Sequence, residues 1–543
     1  MYDLIIKNGR IIDGAGNPWY LGDIAISDGR IRGIGPSSEG AVRSIAAGGL
    51  IVSPGFIDAH SHSDYNTLVY RDMESTLHQG ITTVMAGQCG SSPAPISDEI
   101  RGTVQKRVND QLPEGVELEV NWTTFDDYLR EEEKAGLGAN VGHLVGHGAI
   151  RAACMGYDDR KPTDEEMECM RDLTGEAMKA GAYGISTGLI YPPGMYAETK
   201  ELIEVAKVAA MYGGIYDSHI RGEGRTLMEA LREALEIGET AGIPVQISHH
   251  KIASSSLWGS SRETLEKFEE ARERGIDVTV DQYPYKAGST GLMALLPPWA
   301  HDGGTERALE RLEDEELRNR MRKDIAEGIP GWENFAGELG WENVYVTSVK
   351  TDENKELEGK NMEEIKELRG DPDEYTALFN LLLEEEGGAG MVIFYGDEGD
   401  VRQIMRHPLQ MVGTDASSCT VTGPFSRGKP HPRHYGTYPK ILGEYVREEG
   451  IMRLEEAIRK MTSFPAQRFG LLDRGLLRPG MWADITIFDP DTIRSNSTYQ
   501  DPHHFPEGIH YVIVNGEVAI DEGEYTGILS GRTLRKKPKK FEG

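Results

Sequence analysis

Two kinds of hydrophobic pattern divide the chain. Near both ends, short apolar runs are separated by turn residues such as Asn8-Gly9 and Asn515-Gly516, a pattern that predicts β-strands. These runs lie at 4–7, 10–12, 23–26, 31–34, 484–488, 510–514 and 517–520. Because each strand-rich end is too small to form a stable sheet alone, we predict one small β-sandwich domain built from residues 1–54 and 467–543.

The middle of the chain, residues 55–466, alternates apolar strand-like runs with helical stretches. This alternation is typical of βαβ units that form a parallel sheet. The eight strand candidates lie at 57–59, 82–86, 141–145, 183–186, 215–218, 245–248, 278–281 and 411–414. Eight such units favour an α/β fold of the (β/α)8 TIM-barrel type over an open doubly wound sheet.

One interval departs from that rhythm. The chain between the seventh and eighth strand candidates is long, with a charged helical stretch at 306–328 and an acidic run at 384–386. Segments of this length inside a compact domain are commonly functional loops or subdomains. We therefore predict a lid or insertion at about residues 286–390.

Composition narrows the choice of partners. The chain has 543 residues, of which 38% are hydrophobic, enough for a sizeable core, and its formal net charge is −31. Such an acidic chain repels phosphate backbones and anionic lipid heads, so we expect neither nucleic acid nor a membrane surface as a partner. The sequence contains neither the apolar run of a secretory signal nor the roughly 18 apolar residues of a membrane span, which predicts a cytoplasmic location.

The four cysteines are Cys89, Cys154, Cys169 and Cys419. They are too sparse for a disulfide framework in a chain of this length, which indicates a reducing compartment. An important cysteine here is then a ligand or a nucleophile. We predict that Cys154, Cys169 and Cys419 are buried thiols.

Metal-ligand residue types follow five of the predicted strands, at the ends where barrel enzymes place their chemistry. His60 and His62 follow the first strand, and both point to the same side because side chains alternate along a strand. The other candidates are Cys89, His219, His249 or its neighbour His250, and Asp415. Imidazole, thiolate and carboxylate together suit Zn²⁺.

Each candidate also has a structural alternative. His60 and His62 could be two core histidines, and Cys89 or His249 alone could be a buried structural residue. Asp415 could be the N-cap of a following helix. The shared position at strand ends favours the metal site over these separate explanations.

The segment 54–62, Pro-Gly-Phe-Ile-Asp-Ala-His-Ser-His, resembles the first-strand motif of the amidohydrolase superfamily. Further segments are similar to the D-aminoacylase (N-acyl-D-amino-acid deacylase) family. They lie at 86–90, 184–191, 218–223, 248–251, 281–285 and 431–437. The resemblance covers nearly the whole chain, and it implies a metal-dependent hydrolase with a barrel and a flanking β-sandwich.

One departure from other branches of that superfamily is informative. Hydantoinases and dihydroorotases carry a lysine at the end of strand four that bridges two metals, whereas the segment 183–188 contains no lysine. The D-aminoacylase family uses a cysteine after strand two, and Cys89 stands in that position. By this resemblance, Cys89, His219 and His249 would form one tight zinc site.

The resemblance also implies a second metal site, weaker or vacant, formed by His60 and His62. Between the adjacent histidines that follow strand six, the Ser-His-x-Lys pattern favours His249 as the ligand, and alternation would turn His250 to the opposite side.

The implied reaction is hydrolysis of the amide bond of an N-acyl-D-amino acid. A metal lowers the pKa of water and polarises the carbonyl, and Asp415 would be the general base. In the family, the positions of Lys251, Tyr283 and Arg433 bind the substrate carboxylate, which an acidic chain must capture with local cations. Tyr191 would donate to the oxyanion or serve in packing.

Two rival functions stay open at this point. One is another amidase of the same superfamily, of the hydantoinase or cyclic-amide type, and the other is a non-catalytic scaffold on the same fold. The missing lysine argues against the first, and the retained ligand set argues against the second. The sequence leaves open the preferred side chain and acyl group, the stereochemistry, the occupancy of the second metal site and the oligomeric state.

Overall fold

Both ends of the chain contribute to one sheet in the computed structural model, which describes residues 1–36, 40–113 and 115–537. Within these ranges the sheet has nine strands. They are Tyr2–Ile11, Tyr20–Ser27, Arg30–Ile34, Ala41–Ala46, Ile51–Pro54, Ile485–Phe488, Ile509–Val514, Glu517–Asp521 and Glu524–Tyr525. The two halves meet where Ile51–Pro54 pairs antiparallel with Ile485–Phe488, and Val52 lies opposite Ile487.

The first strand is longer than the sequence predicts. The sequence predicts two strands with a turn at Asn8-Gly9, but Tyr2–Ile11 is a single strand with a bulge between Ile6 and Gly9. Asn8 has a φ of 59°, and a Cβ on Gly9 would lie 2.4 Å from Val52. The two residues that signal a turn therefore permit a bulge and a close approach between strands instead.

The parallel strands of the middle region form two sheets, one of which also includes a short strand from near the C-terminus. The six-stranded sheet consists of Val145–Gly146, Gly184–Gly188, Ile215–His219, Val245–Ile247, Val278–Gln282 and Gln410–Val412. The four-stranded sheet consists of Phe56–Asp58, Ile81–Ala86, Asn140–His143 and Thr533–Leu534. All eight predicted strands coincide with strands in these sheets, so the predicted α/β class is confirmed.

Helices connect the parallel strands and cover them. The main ones are Arg101–Gln111, Phe125–Ala135, His147–Met155, Asp164–Ala180, Thr199–Met211, Leu227–Ala241, Ser261–Glu273, Glu398–Arg406, Arg433–Lys440, Leu454–Met461 and Ser463–Phe469, with shorter segments at Asn66–Val69 and Glu74–His78. Local sequence sets where several begin. Thr163, for example, accepts a hydrogen bond from the N–H of Glu166, whose side chain returns the contact in a capping box.

The long interval before the last parallel strand forms an additional α/β unit. Its antiparallel sheet contains Ala287–Gly291, Val344–Ser348 and Gly390–Phe394. Its helices are Thr305–Glu313, Glu315–Glu327, Phe335–Leu339, Met362–Arg369 and Glu374–Glu384. Buried side chains of this insertion, including Leu292, Val346 and Phe379, share one apolar cluster with Tyr283 and Tyr285, which follow the strand Val278–Gln282. The insertion thus packs against the strand ends that carry the predicted site.

The cysteines depart from the prediction of three buried thiols. Cys154 and Cys169 form a disulfide with Cα atoms 6.0 Å apart, joining the helices His147–Met155 and Asp164–Ala180. Cys419 is a free, half-buried cysteine. A count of cysteines could not reveal one pair brought together by the packing of neighbouring helices. No helix within the described ranges combines the length and apolar character needed to cross a membrane.

Candidate metal centre

Three of the candidate residues adopt a backbone conformation that is uncommon for residues other than glycine. Cys89, His249 and Asp415 have φ values of 51°, 34° and 53°, each just beyond the end of a parallel strand. Left-handed backbone at a non-glycine residue costs on the order of 1–3 kcal/mol and concentrates at functional sites. Local hydrogen bonds hold two of these residues: the N–H of His249 donates to Asp281 at 2.7 Å, and that of Asp415 donates to the carbonyl of His60 at 2.8 Å.

Cys89 lies at the centre of the cluster. Its Sγ is 3.4 Å from Nε2 of His249, 3.8 Å from Nδ1 of His219 and 3.5 Å from Nε2 of His60. The ligand atoms of Cys89, His219 and His249 all lie within 4.8 Å of one another. The structure therefore brings together the three residues expected to form the tight zinc site.

A second group shares Cys89 with the first. It contains His60, His62, Cys89 and Asp415, again with ligand atoms within 4.8 Å. Nε2 of His62 is 3.0 Å from Oδ1 of Asp415, and Nε2 of His60 is 3.6 Å from the same oxygen. The thiol of Cys89 is thus positioned between two possible metal positions.

The donor set fits zinc. In a tetrahedral site with Zn–S near 2.3 Å and Zn–N near 2.0 Å, the sulfur and nitrogen atoms lie about 3.5 Å apart. The separations around Cys89, 3.4–3.8 Å, agree with that spacing. Burial alone would raise the pKa of the Cys89 thiol, but the positive charge of His60 and His249 outweighs it and holds that pKa well below its usual range. The site therefore favours the thiolate, which is the form that binds metal.

The two adjacent histidines have different environments. His249 faces Cys89, whereas Nε2 of His250 is 2.8 Å from the hydroxyl of Thr264, and its ring packs edge-on against Phe268. Burial lowers the pKa of His250 to about 3, so it is a neutral residue of the helix–strand interface. His249 is the member of the pair that joins the metal-ligand group.

Asp415 is not a helix N-cap, because no helix begins after it until Arg433. Arg433 donates to Oδ2 of Asp415 at 2.7 Å and to the carbonyl of Ser289, on the insertion, at 3.1 Å. Burial would raise the pKa of Asp415, but the charges of Arg433 and His249 hold it well below its usual range. The carboxylate is therefore ionised, with Oδ1 toward the histidines and Oδ2 toward the arginine.

The predicted substrate-binding residues surround the same centre. The guanidinium of Arg433 lies 5.0 Å from the ring centre of Tyr283, and Nζ of Lys251 lies 5.9 Å from it. The ring of Tyr191 is 5.2 Å from that of His219, and its hydroxyl accepts a hydrogen bond from Thr290 at 3.1 Å. Each cation also lies near the insertion, since Arg433 donates to the carbonyl of Ser289 and Lys251 lies 5.8 Å from the ring centre of Tyr395.

Three nearby residues have no assigned role in the sequence prediction, although two of them, Glu223 and Asp281, lie in segments that resemble the family. Glu223 contacts Lys251 at 2.6 Å, the hydroxyl of Tyr395 on the insertion contacts that of Tyr283 at 2.7 Å, and Asp281 lies 3.3 Å from His60. Asp281 ends a predicted strand, so applying the strand-end rule to all eight strands would have found it. Glu223 follows His219 by four residues in a loop, and no periodic pattern marks Tyr395.

Comparison with known proteins agrees with this geometry. A family model described as the amidohydrolase family matches residues 43–520. The chain belongs to the amidohydrolase family. Among its relatives is a D-aminoacylase of Alcaligenes xylosoxydans xylosoxydans, which is 37% identical over 98% of both chains. The family membership and enzyme class predicted from the sequence are confirmed.

Two solved structures of the family resemble this chain over its whole length. One is an N-acyl-D-glutamate deacylase of Bordetella bronchiseptica complexed with zinc and a phosphonate inhibitor, with 34% identity, a TM-score of 0.81, and 98% and 99% of the two chains covered. The other is a D-aminoacylase with a binuclear metal center, described as showing one-metal activation and second-metal attenuation. It has 34% identity, a TM-score of 0.81, and 99% and 100% coverage.

Proposed function

We propose that this protein is a zinc-dependent hydrolase of N-acyl-D-amino acids, which cleaves the amide bond to give a carboxylate and a free D-amino acid. The observation that carries the proposal is the convergence of Cys89, His219 and His249 beside Asp415 and two buried cations. The relatives named D-aminoacylase and N-acyl-D-glutamate deacylase support the same substrate class.

Cys89, His219 and His249 would hold the tightly bound zinc, and His60 and His62 would contribute to a second, weaker site. When bound, zinc would supply Lewis acidity toward the amide carbonyl and lower the pKa of water. The second-metal attenuation described for the related D-aminoacylase is consistent with a second site whose ligands adjoin Asp415.

Asp415 would be the general base. Its ionised carboxylate would accept a proton from the attacking water and transfer it to the departing amine nitrogen, which is a poor leaving group until protonated. Tyr191 would stabilise the oxyanion. Its hydroxyl accepts from Thr290, so its own proton can still be donated. Burial raises the pKa of Tyr191 well above its usual value, which keeps that proton in place.

Arg433, Lys251 and Tyr283 would bind the substrate carboxylate. Arginine suits this task because its planar guanidinium can donate two parallel hydrogen bonds to a carboxylate. In a chain with a formal charge of −31, these local cations would overcome the repulsion of an anionic substrate. Binding there would place the scissile amide beside Asp415.

We also infer that the two parallel sheets form one (β/α)8 barrel, with the β-sandwich of residues 1–54 and 467–543 beside it and the insertion at about 286–390 as a lid. Thr533–Leu534 is the exception within those bounds, because it pairs with Asn140–His143 in a parallel sheet. Hydrogen bonds between the first and last strand regions support closure: Ala59 donates to Val412 at 3.2 Å and Asp415 to His60 at 2.8 Å. The cytoplasmic location stays a prediction, and the Cys154–Cys169 disulfide contradicts the reducing compartment inferred from the sparse cysteines.

The experiment is a hydrolysis panel of N-acetyl-D- and N-acetyl-L-amino acids, with hydantoin and dihydrouracil included, and zinc analysis of the same preparation. We expect turnover of the D-series and about one tightly held zinc per chain. Strict L preference would contradict the stereochemical part of the proposal. Turnover of the cyclic amides alone would favour the hydantoinase alternative, and failure of metal-free protein to bind zinc would contradict the mechanism.

A further inference from the structure

Glu223 is a buried carboxylate that the proposed reaction does not use. It is 4% exposed and lies in the loop after the strand Ile215–His219. Two backbone contacts anchor it: its N–H donates to the carboxylate of Glu333 on the insertion, and its carbonyl accepts the N–H of Ala253 at 2.8 Å. These two contacts hold the backbone of Glu223 in place beside the ligand histidines.

The two oxygens of Glu223 face the histidine nitrogens that point away from Cys89. Oε1 is 3.0 Å from Nδ1 of His249, whose Nε2 approaches the sulfur. Oε2 is 3.8 Å from Nε2 of His219, whose Nδ1 approaches the sulfur. Nε2 of His219 is one of the buried nitrogens of the described chain that lack a hydrogen-bond partner. One carboxylate thus lies beside the remote nitrogens of both histidines, within hydrogen-bond distance of His249 and at the longer ion-pair distance from His219.

A ligating histidine needs such a partner. A neutral imidazole that binds metal through one nitrogen carries its proton on the other, and a carboxylate that accepts this proton fixes both the tautomer and the ring orientation. His219 and His249 present opposite ring nitrogens to Cys89, so a partner must select a different tautomer for each. Glu223 has one oxygen directed to each ring.

Lys251 adds a third contact to the same carboxylate. Its Nζ is 2.6 Å from Oε1 of Glu223 and 2.6 Å from Nδ1 of His249. A protonated Nδ1 and an ammonium group are both donors and cannot bond to each other, so Lys251 alone would favour an unprotonated Nδ1 that accepts from its ammonium. A protonated Nδ1 requires an acceptor of its own. Oε1 of Glu223 is that acceptor.

We propose that Glu223 is a positioning residue that sets the ligating tautomers of His219 and His249 and also anchors Lys251. Zinc binding and capture of the substrate carboxylate then depend on one side chain. The part that concerns Lys251 rests on the proposed substrate class, whereas the part that concerns zinc rests only on the proposed zinc site.

The test is Glu223→Gln, studied by chelator competition for zinc and by steady-state kinetics at saturating zinc. A glutamine amide has one acceptor oxygen and a donor group in place of the second, so it cannot accept from all three partners. We expect zinc affinity to fall by about 10- to 100-fold, as for other lost partners of ligating histidines. We also expect KM for an N-acetyl-D-amino acid to rise by a larger factor than kcat falls.

Glu132→Gln is the matched control. Glu132 is buried and lies 3.0 Å from Nε2 of His143, so the variant removes a similar carboxylate–histidine contact outside the metal-ligand group. We expect it to keep the zinc affinity of the unmodified protein. Glu223→Asp, which retains the charge on a shorter side chain, should fall between Glu223→Gln and the unmodified protein.

Unchanged zinc affinity in Glu223→Gln would overturn the proposal. If that variant does not fold, unchanged zinc affinity and KM in Glu223→Asp would overturn it instead. A loss of affinity as large in Glu132→Gln would also overturn it, because the effect would then reflect general destabilisation. If the zinc-loaded, unmodified protein hydrolyses no N-acyl-D-amino acid, the proposed function fails, while the affinities still test the role of Glu223.

Discussion

Arg433 and Asp415 form a buried ion pair, with Nη1 of the arginine 2.7 Å from Oδ2 of the carboxylate. The pair joins the residue proposed to bind the substrate carboxylate to the residue proposed as the base. A second N–H of Arg433 donates to the carbonyl of Ser289 at 3.1 Å, which ties the pair to the insertion. In the proposed reaction, substrate binding and the position of the base would therefore be coupled through this ion pair.

Replacing Arg433 should weaken recognition of the substrate carboxylate. We expect Arg433→Met to lower kcat/KM on the order of 100-fold, because it leaves Asp415 buried without its partner. Arg433→Lys should retain part of the activity, since lysine keeps the charge and loses the bidentate geometry. Rates with an N-acetyl-D-amino acid and with its uncharged carboxamide check this. An unchanged preference for the acid in Arg433→Met would exclude Arg433 as the carboxylate-binding residue.

Cys89 and Cys419 provide a matched pair of variants, since both are free cysteines of the described chain. We expect Cys89→Ala to lose tightly held zinc and activity, because the sulfur lies within 3.4–3.8 Å of three histidine nitrogens. Cys419→Ala should retain both. Metal analysis after dialysis, together with an activity assay, gives the answer. Retention of tightly bound zinc in Cys89→Ala would mean that the thiol is structural.

The insertion should lose stability in acid through His301. Burial lowers the pKa of His301 from 6.5 to about 4, so between these values the unfolded chain binds the proton and the folded insertion does not. Stability therefore falls as the pH drops through this window, by about 2 kcal/mol at pH 5 relative to pH 7. Hydrogen exchange of residues 292–339 at the two pH values measures the effect. His301→Gln should reduce this dependence, and an identical pH dependence in the variant would assign it to other groups.

The disulfide between Cys154 and Cys169 should stabilise the fold without affecting the chemistry. It closes a loop with a sequence separation of 15 residues, for which the chain-entropy model gives about 3 kcal/mol. We expect the Cys154→Ser/Cys169→Ser double variant to melt at a lower temperature and to keep its kcat and KM. Thermal denaturation of both proteins with and without reductant checks this. The double variant should melt at the same temperature in both conditions, because it has no disulfide to reduce. An oxidised native protein that melts like the double variant would contradict the prediction.

The parallel strands and ligand types were accessible from sequence because both depend on local pattern. Val278–Gln282 begins with three β-branched residues, 278–280, which favour a strand, and His219 is the last residue of the strand Ile215–His219 in the same sheet. The resemblance to the family motif favoured His249 over His250 as the metal ligand. The contact of His250 with Thr264 agrees with this choice, because it engages His250 away from the metal-ligand group.

Other features depend on contacts between segments that are distant in sequence, and local hydrophobic patterns do not predict such contacts. Arg433, for example, donates to Asp415 and to Ser289, and these two partners come from different parts of the chain. Tyr395 reaches Tyr283 only because the insertion folds back over the strand ends. The bulge at Asn8-Gly9 is a further case, since the same dipeptide suits a hairpin turn, whereas here the strand continues and pairs with Tyr20–Ser27 on both sides of the bulge.

The sheet formed from both ends of the chain also has a consequence during synthesis. The hydroxyl of Ser53 donates to the carbonyl of Thr486, a contact that spans 433 positions. At a translation rate of about 5–20 residues per second, the first strands wait roughly 20–90 s for their partners to leave the ribosome. During that interval the edge at Ile51–Pro54 is unpaired, and β-strand edges of this kind promote aggregation. Yield during expression should therefore respond to translation speed and chaperone supply more strongly than the stability of the finished enzyme would suggest.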